Sequence, residues 1–395
     1  MNTAEIASMQ KQYLIPTYAP NLALVKGAGT KVWDAEGNEY LDFLAGIAVL
    51  NVGHCHPNVV KAIQEQAATL IHVSNLYYNE KQPQLAKALT EKAGGGKCFF
   101  CNSGAEANEG LIKLARLYGS EQGKFEVITM KNSFHGRTLA TLTATGQEKV
   151  QKGFAPLPEG FVHAEFNDLD SVKAAITDKT AAILIEAIQG EGGIIPADPE
   201  FITGLRELCD EKEILLMFDE VQSGMGRTGK WFGFQNYDVQ PDAFSLAKAL
   251  GNGFPIGAMI TAPKVANVFQ PGYHATTFGG TPLACAAALA ALETIEQENL
   301  LENAAAMGSL LLNNLQKIAD QYDWIECARG TGLMVGLVLN DNALPLQKKL
   351  QEKGLLCLAT AVRVLRMLPP LTVTAAEVGQ AIALVTEACA ELDTQ

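Results

Sequence analysis

Charge is scarce in this chain. Only 18% of its 395 residues are Asp, Glu, Lys or Arg, and the 30 basic residues fall short of the 43 acidic ones, leaving a formal charge of −13. A nucleic-acid partner calls for a basic footprint that displaces counterions, so no nucleic acid is expected. Cysteine is sparse as well. Eight cysteines in 395 residues are far below the density of a disulfide scaffold, and they read as reduced, cytoplasmic thiols. Met1-Asn2-Thr3-Ala4-Glu5 has neither a basic stretch nor an apolar core, so no secretory leader is expected. Low-complexity linkers, charge blocks and internal repeats are missing too. The 48% apolar content excludes a disordered chain. One long stretch, Val265 to Leu292, has no charged residue at all. Asn267, Gln270, Pro271, His274, Gly279, Gly280 and Pro282 within it rule out a lipid-facing helix. It reads as buried protein at an interface, and no membrane is expected as partner.

What remains is an αβ alternation long enough for roughly two to three domain-sized units. Val60–His72, Gln82–Lys92 and Glu106–Tyr118 carry helical periodicity. Gly94-Gly95-Gly96 ends the second helix, and Lys97–Cys101 follows as a short strand. Glu126–Met130, Ala181–Ile185 and Ile214–Phe218 are apolar, β-branched runs, the pattern of strands buried on both faces of a parallel sheet. Ala284–Glu298 and Leu301–Asp320 are long helical patterns, followed by a Gly-rich strand region at Gly330–Leu339. Residues 20–45 read as a hairpin unit with turns at Gly27-Ala28-Gly29 and Glu36-Gly37-Asn38. The predicted layout is α/β. A large domain over 60–280 has a mostly parallel central sheet flanked by helices. A smaller α+β domain is built from both chain ends, 1–59 and 281–395.

Three motifs carry chemistry. Ser103-Gly104-Ala105-Glu106, between a strand and a helix, is a capping box, and alone it says no more than that. The same turn suits an anion, because small residues let backbone N–H groups approach it at the positive helix end. Ile214 to Glu220 is an apolar strand ending in two acids, and Gly224 to Lys230 then imitates a P-loop. A nucleotide hydrolase is rejected there, because Trp231 stands where Ser or Thr must hold magnesium. Lys248 lies between an apolar strand and a Gly-rich loop, where burial would depress its pKa and free the amine to attack a carbonyl. Asp219, Lys248 29 residues later and the upstream anion turn make the set that pyridoxal phosphate needs: an acid for the ring nitrogen, a lysine for the Schiff base and a phosphate site. Cys98-x-x-Cys101 places its thiols on opposite faces of a strand and reads as core. His54-Cys55-His56 reads as structural, and no metal is expected.

Read in order, Gly53-His54-Cys55-His56-Pro57, Ser74 to Glu80, Asn102 to Glu106, Phe134 to Thr138, Glu186 to Gly193, Asp219 to Gln222, the Lys248 loop, Thr276 to Gly280 and Leu365 to Leu371 resemble the subgroup III aminotransferases of pyridoxal-phosphate fold type I. The resemblance covers nearly the whole chain. It implies that Lys248 holds the cofactor and moves the proton, and that Asp219 pairs with the pyridinium nitrogen. It places Gln222 near the ring hydroxyl, Phe134 and Val221 on the ring faces, and Ser103, Gly104 and Ala105 on the phosphate. Thr277 would reach that phosphate from the partner of a homodimer. Arg137 would bind the donor's α-carboxylate, with Thr276 beside it. Arg366 would bind the α-carboxylate of L-glutamate and be masked by Glu186 when an ω-amine is the donor. The implied reaction moves the δ-amino group of N2-acetyl-L-ornithine to 2-oxoglutarate, as in arginine biosynthesis. Ornithine, succinylornithine and acetyl-lysine are the alternative donors, and an aminomutase is the alternative outside the transferases. The chain departs from the pattern at Asn252, where many relatives have Gly, and at Thr281, where many have Asn.

Overall fold

The computed structural model describes residues 1–394. Its centre is a seven-stranded sheet in the order Lys97–Cys101, Gly257–Thr261, Ala243–Leu246, Leu215–Asp219, Thr180–Glu186, Glu126–Met130, Phe161–Ala164. Gly257–Thr261 runs antiparallel to both neighbours, and the remaining pairs are parallel. Every residue of Thr180–Glu186, Leu215–Asp219 and Ala243–Leu246 is buried. Continuous apolar runs are what such two-faced burial requires. Leu215 and Met217 pack with Leu111 and Leu114 of the helix Gly104–Gly119. Leu216 and Phe218 pack on the opposite face with Ile202 and Leu205 of the helix Pro199–Lys212.

Both chain ends meet in a smaller sheet. Leu24–Ala28, Lys31–Asp34 and Glu39–Asp42 form a three-stranded meander, and Leu355–Leu356 joins its edge parallel to Glu39–Asp42. The expected hairpin over 20–45 thus gains a third strand. The strand region expected at 330–339 is the second half of a hairpin, Ile325–Thr331 with Met334–Leu339. That hairpin is extended by Val364–Met367 and Leu358–Thr360. The helix Thr3–Tyr13 was not foreseen. It buries no residue and so has no apolar stripe to betray it; a capping box of Asn2 and Glu5 starts it.

The charge-free stretch divides in two on this chain: part is buried in the chain's own core and part is open, as a segment meant for an interface between subunits would be on a single chain. Up to Phe278 it is irregular, and Tyr273 and Phe278 lie open on this chain. From Pro282 it is the first part of the helix Pro282–Gln297, whose alanines Ala284, Ala287, Ala288 and Ala291 are sunk in the chain's own core. Small side chains let this helix sit close against Pro57–Thr69 and Lys81–Lys92. No helix among the described residues is long and apolar enough to cross a membrane.

The turn at Gly94-Gly95-Gly96 shows why glycine is needed there. All three have positive φ, and a Cβ on Gly96 would overlap the Thr261 carbonyl of the neighbouring strand. Gly96→Ala should therefore cost about 3 kcal/mol or more, read as a drop in the urea midpoint; an unchanged midpoint would mean that the turn can move aside.

Candidate active site

The C-terminal ends of the parallel strands open into a cavity of about 400 Å³, the usual place for a ligand in an open α/β sheet. Ser103, Gly104, Ala105, Phe134, Arg137, Glu186, Asp219, Val221, Gln222 and Lys248 all line it. The structure thus brings together ten residues drawn from five separate segments of the sequence.

Strand register explains the acidic floor. Asp219 pairs with Glu186 on one side and with Ser245 on the other, and such neighbours on parallel strands share a face. Asp219 Oδ2 accepts from Asn108 Nδ2 at 2.7 Å and from His135 Nδ1 at 2.8 Å. Its Oδ1 accepts from the Val221 N–H at 3.0 Å and from Ser245 Oγ at 3.4 Å. Burial pushes this carboxyl up, but His135 and the other donors outweigh it and hold Asp219 below its ordinary value. Glu186 has no such set of donors. Burial, and the charge of Asp219 beside it, push Glu186 well above the carboxylate range. The two acids of the pair are therefore pushed apart, Asp219 toward its charged form and Glu186 toward its neutral one.

Lys248 follows the strand Ala243–Leu246 and takes a positive φ of 46°. Its amine makes no hydrogen bond among the described residues. Burial, with the Arg366 charge adding to it, brings the amine down from 10.5 to about 8. Opposite, the helix Gly104–Gly119 begins at the cavity wall. Its N-cap Ser103 accepts from the Glu106 N–H at 3.2 Å, and the Glu106 carboxylate turns back onto Asn102 N and Ser103 Oγ. The N–H groups of Gly104 and Ala105 take no acceptor among the described residues, as the first turn of a helix leaves them free. Gly104 is pressed against Val221, whose Cγ1 a Cβ would meet at 2.8 Å. The Arg137 guanidinium lies 5.6 Å from the centre of the Phe134 ring.

Four placements differ from expectation or were not foreseen. Arg366 does not pair with Glu186. Its Nη1 donates to Glu191 Oε1 at 2.5 Å and to Gln222 Oε1 at 3.2 Å, while Glu186 accepts from the Phe134 N–H at 3.2 Å. The reason is positional: Glu186 ends a strand inside the sheet, whereas Glu191 lies on the turn between Ile188–Gln189 and Ile195–Pro196. Burial raises the Glu191 carboxyl, and Arg366 more than offsets this, so Glu191 stays ionised. Thr276 is not part of the cavity wall on this chain, and neither is Thr277, which is expected to serve a partner's site instead. His135 and Asn108 were missed; the only signal was that His135 stands inside the Phe134–Thr138 segment. Asn252 has work of its own: its side chain accepts from the Val52 N–H at 3.0 Å and donates to the Gly53 carbonyl at 3.1 Å.

The imitation of a P-loop is settled by the chain beyond it. Trp231 leads into a 3-10 turn, Gly233–Asn236, and not an α-helix. Glu220 accepts from the Gly233 and Phe234 N–H groups at 2.7 and 2.8 Å. Cys98 and Cys101 are free, and burial pushes both thiols up to about 12. His54 binds Asp42 and His56 binds Glu298.

Comparison with known proteins agrees with this geometry. A family model described as "Aminotransferase class-III" matches residues 15–389. The chain is 50% identical to the acetylornithine aminotransferase of Caldanaerobacter subterraneus subsp. tengcongensis, over 97% of this chain and 98% of that protein. Identity is also 50% with the acetylornithine aminotransferase of Methanocaldococcus jannaschii, at the same coverage. The ornithine aminotransferase of Toxoplasma gondii superposes with a TM-score of 0.96 at 33% identity, covering 100% of this chain and 96% of that one.

The cavity fits pyridoxal phosphate on its own terms. It offers a half-buried amine without a partner, an ionised acid, and two free N–H groups at a helix start. If burial sets the amine, reconstitution of the apoprotein with pyridoxal phosphate should speed up with pH. Only the neutral amine reacts, so half the plateau rate is expected near pH 8. A midpoint near 10.5 would refute the burial argument. Lys248→Ala should lose the visible absorbance of the lysine-bound cofactor altogether.

Proposed function

Because the chain belongs to the class-III aminotransferases, a pyridoxal-phosphate-dependent family, we propose that it transfers the δ-amino group of N2-acetyl-L-ornithine to 2-oxoglutarate, giving N-acetyl-L-glutamate 5-semialdehyde and L-glutamate. Its relatives at 50% identity carry that name. The observation that carries the reading is where Arg366 lies. The guanidinium is fully buried and stands behind Glu191, which lines the cavity while Arg366 does not. A donor entering with its δ-amine first meets the carboxylate. L-glutamate, entering with its α-carboxylate, needs the cation. Arg366 Nε and Nη2 are buried without a partner, and a planar fork with two free donors suits a carboxylate. The masking role thus falls to Glu191 and not to Glu186.

Pyridoxal phosphate, when bound, supplies a ring that accepts the electron pair left as a proton leaves the carbon bearing the amino group. Asp219, held ionised by His135 and Asn108, keeps a proton on the ring nitrogen. The N–H groups of Gly104 and Ala105, with the Ser103 turn, would hold the phosphate. Phe134 and Val221 would confine the ring, and Gln222 would serve the ring hydroxyl. The Lys248 amine, low in pKa and free of hydrogen bonds, takes the proton from the substrate carbon and returns it. Arg137, exposed at the rim, binds the α-carboxylate of acetylornithine, with Thr276 beside it.

We further propose a homodimer. Ile71, Leu76, Tyr77, Tyr78 and Phe278 are exposed large apolar side chains on this chain. The His72 ring lies tilted against Phe278 with centroids 5.3 Å apart, and Asn75 donates to the Thr276 and Gly279 carbonyls, so the two segments form one patch. Apolar patches of this kind mark association. Thr277, exposed in the same patch, would then serve the partner's phosphate. A cytoplasmic place in arginine biosynthesis is in keeping with eight free cysteines.

A donor panel against 2-oxoglutarate tests the substrate. Acetylornithine should give the highest kcat/KM among acetylornithine, ornithine, succinylornithine and 4-aminobutyrate; another donor ahead by tenfold would replace it. Arg137→Ala should raise the KM for acetylornithine by about tenfold or more. Turnover without any 2-oxo acid would point to an aminomutase. For the dimer, Tyr78→Asp with Phe278→Asp should bring the mass by light scattering down to that of the 42.2-kDa chain and abolish activity. A fully active single chain would overturn the assembly.

A further inference from the structure

Two arginines share one rung of the C-terminal sheet. Arg329 pairs with Gly336 on the neighbouring strand, and Gly336 pairs with Arg366 on the next. Residues directly opposite in antiparallel strands face the same side, so the two guanidinium stems flank a glycine. That glycine leaves a bare strip, which Ile194 occupies. A Cβ on Gly336 would meet Val364 Cγ1 at 2.8 Å and Ile194 Cβ at 3.1 Å.

The turn from Gly190 to Ile194 therefore lies across this face with a hold at each side. Arg366 takes the Glu191 side chain, as described. Arg329 takes the backbone: its Nη2 and Nε donate to the Gly193 carbonyl at 2.8 and 3.2 Å. Thr360 Oγ1 adds a bond to the Glu191 carbonyl at 3.2 Å. The turn needs holding. Gly193 has φ 109°, and Ile194, which is β-branched, has φ 56°, a conformation that persists only where the surroundings enforce it.

We propose that Arg329 is a positioning residue for the mask, resting on the reading that Glu191 covers Arg366. The two holds differ in kind. The Arg366–Glu191 pair must open when a substrate carboxylate arrives. The Arg329 hold is on a main-chain carbonyl that no substrate replaces. Arg329 thus keeps the turn in place while the Glu191 side chain swings, and unmasking is a side-chain rotation, not a loop movement. Without Arg329 the turn relaxes, Glu191 loses its aim, and Arg366 stands uncovered in both half-reactions.

The test follows the two half-reactions of the holoenzyme separately, with acetylornithine or L-glutamate as sole donor, by single-turnover absorbance. Glu191→Ala should lower the ratio of second-order rate constants, acetylornithine over glutamate. Arg329→Ala should lower the same ratio about fivefold to tenfold. Arg329→Lys, which keeps one donor, should fall between, and it covers the case in which the alanine variant does not fold. Added to Glu191→Ala, the Arg329 change should move the ratio no further. A merely structural Arg329 would slow both half-reactions alike, or lower the ratio as much in the Glu191→Ala background; either result overturns the positioning role. If Glu191→Ala itself leaves the ratio unmoved, the masking reading fails, and this role fails with it.

Discussion

An ionised carboxylate at the end of a strand with no exposed residue is a demanding thing to keep. Asp219 is that group, and desolvation alone would drive it neutral. Four donors prevent this, and each is supplied by a different part of the fold. Asn108 comes from the helix behind the phosphate turn, His135 from the segment that also carries Phe134, Ser245 from the next strand, and the Val221 N–H from the chain just beyond. Fixing Asp219 thereby fixes the start of the helix, the ring-facing side chains and the strand that leads to Lys248. Glu186 shows the alternative. It stands beside Asp219 in strand register without a comparable set of donors, and burial with a neighbouring negative charge pushes it toward the neutral form.

Lys248 answers Asp219 across the cavity. Its amine is lowered by the same dry surroundings that endanger the acid, and the Arg366 charge adds to the effect. A cavity with an amine that is easily deprotonated, a charged acid and open N–H groups is prepared for a phosphorylated aldehyde before one arrives. Little of this chemistry draws on net charge. The −13 of the whole chain lies mostly at the surface, while the groups meant for anions are a helix start and two arginines, one exposed at the rim and one hidden.

The second layer of control is the C-terminal sheet. It brings Arg366 to the cavity's edge but leaves it behind Glu191, and it lays the Gly190–Ile194 turn over a glycine flanked by arginines. On the proposed masking role, substrate choice would depend on a sheet that contributes few side chains to the cavity itself. Small residues make these approaches possible at both levels: Gly104 against Val221, and Gly336 beneath Ile194.

Much of this was legible in the residues taken in order. Continuous β-branched runs imply strands buried on both faces, and small residues between strand and helix imply an anion turn. An apolar setting implies a lysine of low pKa. These are local signals, and local physics is enough to read them. The partner of Arg366 was not legible. Glu186 and Glu191 stand five residues apart in one segment with equal chemical claim, and the bond that chooses between them joins residues 175 apart in sequence. Nor could composition say which half of the charge-free stretch is sunk in the chain's own core and which is open on the single chain, since absence of charge permits both. The helix Thr3–Tyr13 escaped because it buries nothing. Sequence by itself determined which groups carry the chemistry and which strands hold them. Tertiary structure decided which acid has its charge favoured and which acid pairs with the arginine, because both depend on neighbours that only strand register and a folded turn bring into contact.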